Sequence, residues 1–351
     1  MLSIDPSIAL ATLRILASYQ GRGIDAKSEE EPGKILHEHR FDVASRAELP
    51  EWKFPYYGSV DSTLLFLIVA WEYVHRTGDL RASTDLWSAI VSAYRWVRVH
   101  SDQDADGFIT YERKNPQGLF HQGWKDGSED HLRIGPPVAL VEVQGYAYAA
   151  HRAFASLAKM HGEDEQAAVA LKIADGVRRR LNEVFWMPDL GFFGLALDGA
   201  RQLRRAVTSN PGHLLLCRAV EARRIESTIA RFFRDDLWTA YGMRTHATSE
   251  PDFDALSYHC GTIWPHDNWF LYRGLLAAGR KSEAKQIRDA LLGVHRRLGK
   301  IPELYGVVDD KLVDLSAAPP HAPVCANTLQ AWSSAGLLDM ISQDEGRDSS
   351  L

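Results

Sequence analysis

Apolar residues recur every three or four positions along most of the 351-residue chain, the spacing of amphipathic helices. The pattern predicts helices over 6–19, 60–76, 82–99, 136–160, 164–186, 208–216, 220–232, 265–279, 281–298 and 324–342. Asp5 with Pro6, Pro136–Pro137 and Pro265 suit first helical turns, while Gly21, Gly78 and Gly162 fall where helices should stop. "GFITYE" (107–112) and "LGFFGLAL" (190–197) read instead as short β-hairpins within loops.

The connections alternate. Those after 76, 160 and 279 are tight; those before 60, 136, 265 and 324 are long and rich in glycine, proline, aromatics and charge. Tight links join antiparallel neighbours, and long ones can gather at one end to build a site. The prediction is all-α: an (α/α)6 toroid, incomplete at about ten helices, forming a single domain over 1–345 with a disordered tail at 346–351. The opening "MLSIDPSIALATLRILASYQG" has helical spacing, is broken by Arg14, and lacks the basic start and cleavage site of a signal peptide. No apolar run reaches membrane-spanning length. A cytoplasmic protein without membrane contact is expected.

Composition narrows the ligand. A net charge of −6 with no basic stripe argues against nucleic acid. Ten tryptophans and twelve tyrosines fit a carbohydrate pocket, although large cores use them too. Cys217, Cys260 and Cys325 show no zinc spacing and read as buried free thiols. No metal and no cofactor are expected. "DQDADGFI" (102–109) opens like a calcium loop, but its twelfth position is Arg113 rather than glutamate, and an Asx/Gly turn accounts for Asp102, Asp104 and Asp106.

The densest chemistry is "HQGWKDGSED" (121–130), an indole, an ammonium and three carboxylates within seven positions, with two glycines in the same loop. Glycosidic cleavage needs two carboxyl groups flanking the scissile bond, one to donate a proton and one to activate water. Long loops of a toroid can supply such a pair.

Seven blocks extend the pattern: "EEPGKILHEHR" (30–40), "YYGSVDSTLLFL" (56–67), "QGWKDGSED" (122–130), "LVEVQGYAYAA" (140–150), "TSNPGHLL" (208–215), "YHCGTIWPHDN" (258–268) and "IPELYG" (301–306). In this order the chain resembles the catalytic domain of amylo-α-1,6-glucosidase-like, glycogen-debranching-type glycoside hydrolases. The resemblance implies an inverting α-glucosidase, with Asp126 of the Trp-x-Asp loop as general acid and Glu303 of the Pro-Glu-Leu segment as general base. The residues agree in kind: a carboxyl shielded beside Trp124 would have its pKa raised, as a donor needs.

Around them the same reading expects sugar contacts from Glu38, Arg40, Tyr57, Asp61, Trp124, Lys125, Glu142, Gln144, Trp264 and His266. Each has a structural alternative: an ion pair for Glu38 and Arg40, a helix-terminal carboxylate for Asp61, a satisfied core histidine for His266. Alternative activities are hydrolysis of a glucosylglycerate- or mannosylglycerate-type solute, a sugar 2-epimerase using His259 and His266, or an inactive glycan-binding remnant.

Two departures from the family stand out. Relatives place serine directly after the acid, whereas here Gly127 precedes Ser128. Relatives also carry a β-rich domain and two further barrel helices before the stretch matching residue 6. An open apolar seam is therefore expected, to be covered by rearrangement, a partner or a second copy in a homodimer.

Overall fold

The computed structural model describes residues 2, 4–101, 107–317 and 324–344. Asp102, Asp104 and Asp106 of the calcium-like loop, and the tail at 346–351, lie outside the described residues. Eleven α-helices run along them: α1 (Pro6–Ser18), α2 (Val43–Ala47), α3 (Ser62–Thr77), α4 (Leu80–Ser101), α5 (Val141–Met160), α6 (Asp164–Val184), α7 (Gly212–Leu216), α8 (Ala222–Phe232), α9 (Pro265–Ala277), α10 (Lys281–Leu298) and α11 (Ala331–Asp344). The five-residue α2 sits in the first long loop, leaving ten for the ring.

Burial sorts the helices into two layers. In α10 the buried positions Ala284, Ile287, Leu291 and Val294 form one stripe, that of a helix with one face to water. In α5 nearly every residue from Val141 to Ala158 is buried, so this helix is enclosed on all sides. Helices α3, α5, α7, α9 and α11 pack in succession as the inner row. Tight turns lead α3 into α4, α5 into α6 and α9 into α10; the first ends on Gly78 in the left-handed region (φ 69°). At one end of the row α1 packs on α3 and α4, and at the other α11 packs on α9 and α10. Both ends expose apolar side chains, Ile8 and Ile15 on α1 and Trp332 and Leu338 on α11. Among the described residues no helix is long and apolar enough to cross a membrane.

Several boundaries differ from expectation for local reasons. The Pro136–Pro137 pair does not open a helix: Val138 is bridged to Tyr111, strand β1 (Ala139–Leu140) follows, and α5 begins at Val141. Helix α7 is short because Thr208 pairs with His246 across the loop layer. Gly21 stops no helix; it exchanges backbone bonds with Lys34 and Gly33. The predicted hairpin at 107–112 reduces to the single Tyr111–Val138 bridge.

The aromatic stretch at 190–197 is β as expected, split between two sheets. Strand β2 (Trp186–Met187) pairs with β3 (Phe192–Phe193), while β4 (Ala196–Leu197) lies antiparallel between β1 and β5 (Leu203–Arg204). Two further ribbons, β6 (Trp238–Thr239) with β7 (Gly242–Met243) and β8 (Gly306–Val308) with β9 (Lys311–Val313), complete the loop end.

Candidate active site

The acid loop is a tight turn closed by its own backbone. His121 and Gly127 bridge each other, and Phe120 N–H donates to Gly127 C=O at 2.7 Å. A Cβ at Gly127 would fall 2.8 Å from His131 Nδ1, and one at Gly123 would fall 2.4 Å from the Leu140 side chain, so both glycines mark close approaches. The three carboxylates divide their roles. Asp130 accepts from His121 Nε2 at 2.8 Å and from Ile134 N–H at 2.8 Å, which anchors the loop. Glu129 is exposed. Only Asp126 turns inward, with His259 Nε2 at 3.3 Å and His37 Nε2 at 3.6 Å.

Glu303 is buried on the segment that pairs Tyr305 with Ile263 just before α9. Its carboxylate accepts from the Tyr258 hydroxyl at 2.8 Å, from Asn327 N–H and Nδ2 at 2.9 Å each, and from Gln330 Nε2 at 3.4 Å. Four donors and no competing acceptor suit a carboxylate, which can only accept. Tyr258 and His259 are consecutive, so one dipeptide carries the partner of each carboxyl group. The carboxylates are also felt across it: Asp126 acts on Tyr258 and Glu303 on His259. The structure thus brings Asp126 and Glu303 into one cluster across a long stretch of sequence.

The electrostatics differ from expectation at Asp126. Burial pushes its pKa up, but the His259 hydrogen bond and the fields of His259, His37 and His131 outweigh it, and the net direction is down. The expected rise from shielding is thus present but outweighed; Trp124 itself stacks near-parallel on His213 and meets His259, Trp264 and His266 edge-on. Asp61 does belong to the cluster. It sits at the N-cap of α3 without capping it, accepts from Ser59 Oγ at 2.7 Å, and is pushed up mainly by burial, with His37 and Asp126 within its field.

Other expected sugar ligands are committed elsewhere. Lys125 is buried, donates to Thr245 C=O at 2.8 Å and is pushed down to about 8 by burial; it points beneath the site because neighbouring side chains of this loop face opposite ways. Gln144 staples Ile109 and Leu140 backbone to α5 through three bonds of 2.9 Å. The Tyr57 hydroxyl donates to Tyr19 C=O at 2.6 Å, and Trp264 Nε1 to Tyr258 C=O at 2.7 Å. Glu38 and Arg40 form the ion pair that was their alternative, with Glu48 sharing the guanidinium.

His266 stacks on Trp332 and is pushed down to about 3 by burial. Glu142 is fully buried beneath the Trp124 loop, and burial pushes its pKa up; neither oxygen has a hydrogen-bond partner of good geometry, although Asn210 lies near enough to lower it somewhat. A cavity of about 950 Å³ lies alongside, lined by Glu29, Lys34, Ser59, Trp96, Tyr111 and Gln122 among others, with neither Asp126 nor Glu303 in its wall.

Sequence reasoning missed Tyr258, His37, Asn327 and Gln330 as partners of the two acids. Tyr258 and His259 were within reach, since both stand in the "YHCGTIWPHDN" block; nothing local to 327 or 330 gives a comparable signal.

A helical toroid with paired carboxyl groups among its long loops defines a class, the six-hairpin glycosidase type. The chain belongs to the mannosylglycerate hydrolase MGH1-like glycoside hydrolase domain family, which it matches over residues 4–311. It is 26% identical over 199 residues to a mannosylglycerate hydrolase of Rubrobacter radiotolerans, a match covering 55% of this chain and 41% of that protein. The chain therefore aligns with well under half the length of this curated relative.

Its fold is shared with the crystal structure of a GH63 mannosylglycerate hydrolase from Thermus thermophilus in complex with Tris (TM-score 0.68, 16% identity, 97% of this chain and 90% of that one). A Bacillus GH78 family rhamnosidase is similar at TM-score 0.59 and 15% identity, over 86% of this chain and 28% of that one. Of the activities weighed from the sequence, the mannosylglycerate type fits these relatives better than amylo-α-1,6-glucosidase does.

Proposed function

We propose that the chain is an inverting glycoside hydrolase acting on a sugar α-linked to a small hydroxy acid, glyceric acid foremost. Asp126 gives its proton to the glycosidic oxygen while Glu303 takes one from the water attacking the anomeric carbon on the opposite face. The observation that carries this reading is the pairing of both carboxyl groups with the consecutive residues Tyr258 and His259. The substrate class is supported by the likeness to mannosylglycerate hydrolases. The epimerase alternative fares worse, because His266, held near 3, is a weak proton acceptor at neutral pH.

The test is hydrolysis of mannosylglycerate and glucosylglycerate by the purified protein, followed by NMR. The α-glycoside should release the β-anomer first. Asp126→Asn and Glu303→Gln should each lower kcat by a factor on the order of 10²–10⁴. Release of the α-anomer first, or full turnover by Asp126→Asn, would refute the assignment.

A further inference from the structure

Beneath the acid loop, on the side to which Lys125 points, His246, Asp252 and Cys260 converge. One nitrogen, one carboxylate oxygen and the thiol sulfur lie within 4.8 Å of one another, and His246 Nε2 stands 3.9 Å from Asp252 Oδ2. All three side chains are shielded from water: His246 is 0% exposed, Cys260 4%, and the Asp252 side chain 5%. Polar atoms in such a place are normally paired. Here His246 Nε2 and Asp252 Oδ1 have no hydrogen-bond partner, and Cys260 Sγ makes one long contact to the His131 carbonyl, at 3.6 Å, with the Ser257 side chain near enough to act on the thiol. Nothing in the glycosidic chemistry uses these atoms.

The geometry points to a binding site for a zinc-class divalent cation, held by His246, Asp252 and Cys260. Nitrogen and sulfur donors beside one carboxylate select such an ion over magnesium or calcium, which take oxygen ligands. Bonds of about 2.0–2.3 Å in a tetrahedron require donor separations of roughly 3.4–3.8 Å, so modest side-chain rotation closes the set. Arg204 Nη2 occupies Asp252 Oδ2 at 3.0 Å and leaves Oδ1 for the ion. On binding, the Cys260 thiol releases its proton to solvent and ligates as thiolate. Three protein ligands leave one position for water.

Lys125 opposes the ion, since its Nζ lies 3.5 Å from His246 Nδ1; affinity is therefore moderate, and removing that charge should raise it. The sequence hides the site because the spacing of 246, 252 and 260 has no paired-ligand signature. Cys260 follows His259, so an ion here would stiffen the turn that holds Asp126. The inference does not depend on the hydrolase reading.

The test is titration of chelator-treated protein with Co²⁺, followed by absorption. The wild type should develop a thiolate-to-cobalt charge-transfer band and intense tetrahedral visible bands, saturating at one equivalent and displaced by Zn²⁺. Cys260→Ser should lose the charge-transfer band, and Asp252→Asn should weaken binding at least tenfold. Cys325→Ser, which removes an exposed thiol, should change nothing, and Lys125→Met should tighten binding at least tenfold. No band in the wild type, a band surviving in Cys260→Ser, or unchanged affinity in Lys125→Met would overturn the site. If Cys260→Ser loses its native circular dichroism, Asp252→Asn decides: unchanged Co²⁺ affinity there overturns the site and weakened affinity supports it.

Discussion

A carboxyl group that delivers a proton near neutral pH needs its charged form disfavoured. At Asp126 burial works that way, but His259 and His37 work against it and prevail in the free protein. His259 is therefore the strongest influence lowering the pKa of Asp126, the proposed acid. In a two-carboxyl mechanism the alkaline limb of kcat/KM reports loss of the acid's proton. Removing an influence that lowers the Asp126 pKa raises it, so the protonated form persists to higher pH.

In His259→Phe the alkaline limb should move up, and in His37→Phe it should move up less, as measured by pH profiles on one glycoside. A limb that stays in place or moves down would show that His259 does not control Asp126. Asp126 and Glu303, the proposed acid and base, were singled out through the family resemblance of the short motifs that hold them. Their partners were not, because a hydrogen bond between 259 and 126 or between 327 and 303 depends on how long loops cross. Lys125 and Gln144 misled for a related reason: a polar side chain in a conspicuous motif can be spent on backbone carbonyls.

Helices of the inner row approach closely where side chains vanish. Gly274 of α9 would place a Cβ 2.7 Å from Leu215 Cβ and 2.8 Å from Leu216 N on α7, so backbone would have to move. Gly145 of α5 would meet chiefly the Leu214 Cδ2 methyl at 2.6 Å, the far end of a flexible side chain. Gly274→Ala should cost about 1–3 kcal/mol by overpacking. Gly145→Ala should be near neutral, since alanine's helix preference of about 1 kcal/mol offsets a displaced methyl.

Urea unfolding at unchanged m-value checks the order, and a larger loss at Gly145 would contradict this account of the α7 contacts. Periodicity found the ring helices because their burial follows 3.6-residue spacing, and tight links fixed which pairs are antiparallel. It overran at 136–140 and 208–211 because apolar residues there serve β1 and the loop layer, and an apolar residue carries no mark of which element it packs in.

Across the whole molecule, burial leaves a signature in acid. His131 and His266 are pushed down to about 3, and His39, His121, His246 and His259 are also lowered, with burial the leading cause each time. Unfolded, these imidazoles titrate near 6.5. Between that pH and their folded values the unfolded chain binds more protons, so stability falls as pH falls. Glu31 adds to the trend lower down. Burial pushes it up, but His100 and Lys34 prevail and hold it at about 2 against an ordinary 4.5. Its contribution is complete above 4.5 and disappears as pH approaches 2.

Asp61, Glu142 and Glu250, pushed up by burial, act in the opposite sense, because their folded forms take up protons first. Six imidazoles against three carboxyl groups leave the imidazoles dominant. Unfolding free energy from urea titrations should therefore drop by on the order of 2 kcal/mol between pH 6.5 and 5.5, at about 1.4 kcal/mol per proton per pH unit. A flat or rising stability over that interval would mean that the ring interior admits enough water to hydrate its histidines, and that the dry setting inferred for the acid cluster is wrong.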